Sequence, residues 1–231
     1  MTNQVSFYGM GVDVADVNSD GHKDIFVLDM ASADHYRAKT LMASMNTANF
    51  KLLTEDLGFA HQYMFNSLLT GNGKGIYDNI AHQSKVAKTD WSWSGLVHDF
   101  DLDGTQEIFV TNGYRKYSKD NDFQLKVREL KSAYNGQPPL EKKEALYDNI
   151  PSEKLSNIYF ESDDGMQFSD QSKSHGVNQL SFSNGAAYAD LDNDGDSDLV
   201  VNNMDQLAFI YQNMTMENSC LLYTSPSPRD S

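Results

Sequence analysis

Cysteine is all but missing from the chain, one residue in 231, which leaves no partner for an intrachain disulfide and too few thiolates for a cysteine-ligated zinc site. Basic residues are scarce as well. Lys and Arg total 18 against 33 Asp and Glu, a formal net charge of −15. Polyanion binding needs cationic side chains that neutralise phosphates and release counterions, so nucleic acid and anionic lipid are excluded as partners. No apolar run approaches the roughly 20 residues that cross a bilayer as a helix, and no transmembrane segment is expected. The six histidines, His22, His35, His61, His82, His98 and His175, show no H-x-H or H-E-x-x-H spacing. Neither a G-x-S-x-G nucleophile elbow nor a phosphate-binding loop occurs; Gly71-Asn72-Gly73-Lys74-Gly75 lacks the P-loop spacing and reads as a hairpin turn. The opening Met-Thr-Asn-Gln-Val-Ser lacks the basic-then-apolar order of a secretory leader. What the chain does have is 39% apolar and 11% aromatic residues, enough for a packed core.

It also repeats itself. One signature occurs three times, as Asp16-Val17-Asn18-Ser19-Asp20-Gly21-His22-Lys23-Asp24, Asp99-Phe100-Asp101-Leu102-Asp103-Gly104-Thr105-Gln106-Glu107, and Asp190-Leu191-Asp192-Asn193-Asp194-Gly195-Asp196-Ser197-Asp198. An aromatic residue, Tyr8, Trp91 or Phe182, stands eight residues before each first Asp, and a β-prone run follows each copy. Each loop is therefore expected inside a β-hairpin. A second element recurs in phase: Asn66 to Asp99 and Asn157 to Asp190 both span 33 residues, each Asn opening two strands joined by a Gly/Asp/Asn turn. Aligning Phe209 to Asn213 with these places a third copy 23 residues after Asp190 and implies a 56-residue repeat.

The first two repeats exceed that length by 27 and 35 residues, which places insertions within about 30–62 and 114–153. Tyr36 to Met45 and Asp122 to Tyr134 carry apolar residues at three- and four-residue spacing, as short helices do. Four short strands per repeat suit the blade of a β-propeller, whose sheets bury their faces only against neighbouring blades. The fold class expected is all-β: an incomplete β-propeller over residues 1–219, about three blades of a larger ring, with helical insertions. Residues Cys220 to Asp230 read as the translation of a transposase mosaic-end sequencing adapter, so 220–231 are set aside and the remainder is expected to be a fragment.

Alternating oxygen ligands at loop positions 1, 3 and 5, followed by glycine at 6, let a tight turn wrap one calcium ion. Those positions hold Asp16, Asn18 and Asp20; Asp99, Asp101 and Asp103; and Asp190, Asp192 and Asp194. Position 7 (His22, Thr105, Asp196) would offer a backbone carbonyl and position 9 (Asp24, Glu107, Asp198) a carboxylate. The helix-loop-helix calcium site is excluded, because its bidentate Glu at position 12 is replaced by Val27, Val110 and Val201. About three calcium ions are expected, one per loop, with the third loop the most charged.

The acidic hairpins, the Trp91-Ser92-Trp93 lead-in, the phrase from Ser183 to Asp196 and the trailing Val200-Val201-Asn202-Asn203 resemble FG-GAP/VCBS-repeat proteins of the integrin-α-like propeller superfamily. The likeness is nearest to bacterial proteins that end in an ASPIC/UnbV domain, akin to cartilage acidic protein. The resemblance implies a calcium-binding propeller at the cell surface or outside the cell, acting in adhesion or binding without catalytic activity of its own. Its partners would be a surface protein or polysaccharide and the remaining blades of the same full-length chain. The alternative is the propeller portion of a larger secreted polysaccharide-acting enzyme.

Overall fold

Three antiparallel sheets, one per acidic repeat, carry the architecture of the computed structural model, which describes residues 4–40 and 47–218. The first runs Val12–Ala15, Asp24–Val27, Ser67–Gly71, Tyr77–Asn79 in spatial order. The second follows the same up-and-down path through Asp90–His98, Glu107–Asn112, Ile158–Glu161 and Ser169–Asp170, and gains Met30–Ala31 on its Asp90 edge. The third contains Ser183–Ala189, Asp198–Asn203 and Phe209–Tyr211. Met30–Ala31 ties the first repeat to the second sheet. A short pair, Leu155–Ser156 with Leu180–Ser181, similarly ties the second repeat to the third. The chain is thus built mostly of strands in several sheets. The expected adapter tail, 220–231, lies outside the described residues.

Strand alternation explains how the sheets stack. In Glu107–Asn112 every residue is buried, a pattern that requires cover on both faces of a sheet. Ile108 and Val110 join Phe26, Leu28 and Leu68 of the first sheet in one apolar cluster. Phe109, pointing the other way, joins Leu199 and Val201 of the third. The second sheet is therefore the middle layer. The first strands of successive sheets also touch: Val97 N–H donates to Asp13 Oδ2 at 2.8 Å, and the His98 ring stacks on Tyr188 at 4.0 Å. Gly165 marks a close approach between the second repeat and the first. It has φ +66°, and a Cβ there would lie 2.1 Å from the Val17 carbonyl of the first acidic loop.

The pairing corrects one alignment made from spacing. Leu68 pairs Phe26 and Ile210 pairs Val200 at equivalent registers, so the residue matching Asn66 and Asn157 is Ala208. Asn213 instead matches Gly71, since Asn213 N–H and Gly71 N–H each donate to the position-9 carboxylate of their own sheet, Asp198 and Asp24. The underlying repeat is accordingly shorter than 56 residues, and the excursions correspondingly longer.

Those excursions are helical as expected. The first holds His35–Thr40, Thr47–Lys51 and a π-helical turn Leu52–Asp56; residues 41–45 of the expected helix from Tyr36 to Met45 lie outside the described residues. The second holds Asn121–Ala133, capped by Asp120 accepting from Phe123 N–H at 2.8 Å, and Leu140–Asp148 behind Pro139. Both meet over the Asp90 edge. Arg37 forks onto Asp90 with two 2.8 Å bonds, donates to the Tyr117 hydroxyl at 2.9 Å and pairs with Glu153. Burial would raise the Asp90 pKa, but the bonds from Arg37 and Ser32 hold it below the ordinary carboxylate value.

Asn66 shows how much one buried polar side chain carries. It is fully buried, accepts from Asp29 N–H at 2.8 Å, and donates to the Val86 carbonyl and Thr89 Oγ1 at 2.9 and 2.6 Å. Removing these bonds leaves buried groups unpaired, so Asn66→Ala is expected to cost about 3 kcal/mol in urea denaturation. A loss below about 1 kcal/mol would contradict this bonding pattern.

Candidate functional site

Each acidic loop joins the first and second strands of its sheet, and the turn is shaped by its own carboxylates. Asp16 accepts the N–H groups of Asp20 and Gly21 at 3.0 and 2.8 Å. Asp99 does the same for Asp103 and Gly104 at 3.1 and 3.0 Å, and Asp190 for Asp194 and Gly195 at 3.2 Å each. The glycine at position 6 has φ between +84° and +103° in all three loops, a region glycine enters without strain.

The loops differ in what remains for a cation. In the second, one oxygen each from Asp99, Asp101 and Glu107 falls within 4.8 Å of the others; in the third, the same holds for Asp190, Asp192 and Asp194. The first loop forms no such acidic triad among the described residues. Asn18 donates to Asp20 at 3.3 Å, and Asp20 also accepts His22 N–H at 2.8 Å, so this turn satisfies itself.

Position 9 has two forms. Asp24 spans Val17 N–H and Gly71 N–H at 2.9 and 2.8 Å, while Asp198 spans Leu191 N–H and Asn213 N–H at 3.0 and 2.9 Å. Both are buried clasps between loop and third strand. Glu107, one methylene longer, uses Oε2 for Phe100 N–H at 2.6 Å and contributes an oxygen to the acidic triad. Among the other expected ligands, Asp103 is engaged by Thr105 N–H and Oγ1 at 2.7 Å each. The His22 ring packs on Gly73. Asp196 is buried, accepts Met216 N–H at 2.9 Å through Oδ2, and leaves Oδ1 without a hydrogen bond. Asp194 Oδ2 is likewise buried and unpartnered.

The donor set fits a hard cation. It is all oxygen, anionic and clustered at ligand spacing, and the two orphaned oxygens of the third loop are acceptors that a cation would satisfy. The side-chain role of Asp196 was not apparent from spacing, which assigned it only a backbone carbonyl. Also missed were Asp29, Asn112 and Asn203, buried polar residues five positions after each position 9. A polar residue ending a β-prone run in all three repeats was the available signal. No protein-family model matches the chain, and no curated protein matches it.

Without a cation the second loop holds a proton instead. Burial pushes the Glu107 carboxyl from an ordinary 4.5 up to about 8; the Phe100 N–H opposes the rise and the charges of Asp101, Asp99 and Asp103 add to it. The folded state then binds more protons than the unfolded chain between those two values, so stability falls as pH rises across that window. In chelator-treated protein, melting temperature is expected to drop from about pH 5 to about pH 8, and Glu107→Gln to flatten the drop. Parallel slopes for parent and variant would show that Glu107 does not hold the proton.

Proposed function

We propose that the chain is a calcium-stabilised extracellular binding or adhesion scaffold, non-catalytic, forming part of an FG-GAP/VCBS-type β-propeller. The observation that carries this reading is the recurrence of one acidic hairpin at the same place in three stacked sheets, two of them gathering carboxylate oxygens within 4.8 Å. Asp190, Asp192 and Asp194 would hold one ion and Asp99, Asp101 and Glu107 another. Asp16, Asn18 and Asp20 would hold a third after breaking bonds within their own turn. Bound calcium supplies charge neutralisation and cross-links the turn, a structural role. Weak, millimolar-class sites suit the extracellular space, where calcium is abundant.

Face-to-face stacking with first strands side by side supports propeller blades over a closed sandwich. The outer sheets support further blades too. Val12 and Val14 on the first are 64% and 51% exposed and Ile210 on the third is 68% exposed, apolar surface that additional blades of a longer chain would cover. Among the described residues no helix is long and apolar enough to cross a membrane. A surface protein or polysaccharide is the partner this reading implies.

Calcium titration followed by calorimetry is expected to show saturable binding, filling the third loop first, because its buried oxygens lack other partners. Saturation at a hundredfold excess over Kd adds roughly 2.7 kcal/mol of stability. Chelator should therefore lower the melting temperature, and Asp194→Ala should remove part of the calcium-dependent rise. Identical melting curves in calcium and in chelator would return the loops to solvated turns.

A further inference from the structure

A cavity of about 540 Å³ opens between the second and third sheets, beside the second acidic loop. Its walls are aromatic. Phe100 and Tyr159 stand 5.9 Å apart by ring centroid, His175 lies 4.7 Å from Tyr159, and Tyr211 lines the same space. Tyr159 is only 6% exposed, yet its hydroxyl has no hydrogen-bond partner among the described residues. Gln212 gives its side-chain N–H to Asp192 at 2.7 Å, which leaves its carbonyl oxygen, and Asp101 brings a carboxylate whose Oδ1 accepts Asp103 N–H at 3.2 Å, which leaves Oδ2. The other polar groups are committed: the Tyr211 hydroxyl donates to Gln179 at 2.6 Å, and His175 pairs with Glu161.

The uncommitted polar atoms are thus two acceptors and a hydroxyl that serves either way. A complementary ligand is a hydrogen-bond donor on an apolar stem. Aromatic rings attract cations through their quadrupoles, and a chain of net charge −15 concentrates cations at its clefts. We propose that this cavity binds the ammonium group of a lysine side chain presented by a partner polypeptide. Phe100, Tyr159 and Tyr211 enclose the stem, while Asp101 and Gln212 accept from the ammonium. The cavity falls in the range of small-ligand sites and exceeds what one lysine side chain fills, leaving space for flanking backbone. The proposal rests on the reading of the chain as a binding scaffold, and it shares Asp101 with the second acidic loop.

The test is a calorimetric titration of the whole chain with acetyl-Gly-Lys-Gly-amide against its norleucine analogue, which has nearly the same shape without the charge. The lysine peptide is expected to bind at least about tenfold more tightly. Asp101→Asn should abolish that preference and Tyr211→Leu should weaken binding of both peptides several-fold, with circular dichroism confirming that each variant is folded. Equal affinity for the two peptides, or affinity unchanged in both variants, would overturn the assignment. Repeating the titration in calcium and in chelator separates the two readings. If the loop takes calcium, the ion competes for Asp101 and lysine binding weakens. If lysine affinity is the same in both, while its preference over norleucine persists, the cavity assignment stands and the calcium reading of the second loop falls.

Discussion

A buried carboxylate at the entry to the second strand closes every acidic hairpin, and the rest of the architecture depends on that closure. Asp24 and Asp198 each reach backward to a loop N–H and sideways to an N–H at or just beyond the end of the third strand. A carboxylate removed from water is costly unless its lone pairs are occupied. Opening the loop or slipping the third strand would strand a buried charge, so loop shape and strand register are specified together. Glu107 performs only the first half of this task, holding the Phe100 N–H, and its carboxylate belongs to the acidic triad.

With register set, side-chain alternation does the rest. The middle sheet places Ile108 and Val110 against the first sheet and Phe109 against the third, so the order of sheets along the stack follows the order of repeats along the chain. The helical excursions are held by a polar lock. Asp90 has φ +86°, an unfavourable backbone for a side-chain-bearing residue, and it sits under the bidentate Arg37 guanidinium, which in turn reaches Tyr117 and Glu153 on the second excursion. Breaking the fork would leave two poorly solvated charges unpaired.

The loops are graded in how far their oxygens are satisfied without a cation. The first satisfies its oxygens within its own turn, the second shares its excess charge with a proton on Glu107, and the third leaves Asp194 and Asp196 oxygens without partners. Three copies of one motif thus differ through small substitutions: Asn18 for an Asp, Glu107 for an Asp, and an additional carboxylate at Asp196.

The acidic hairpins were legible in the sequence because their determinants are local: carboxylates two residues apart, a glycine that accepts positive φ, and β-branched residues that follow at once. The helical excursions and the Asn72 and Asp164 turns, whose side chains accept nearby N–H groups, were legible for the same reason. The third repeat's register was not. Asn213 imitates Asn66 in composition, and only the pairing of Ile210 with Val200 shows that Ala208 holds that place. Nor could spacing reveal that Arg37 meets Asp90, that Tyr159 and Tyr211 face one cavity, or that Asp196 is buried against Met216. Hairpin geometry is written within a dozen residues of chain. Which faces meet is decided by burial of apolar area summed over residues far apart, and only the assembled sheets contain that sum.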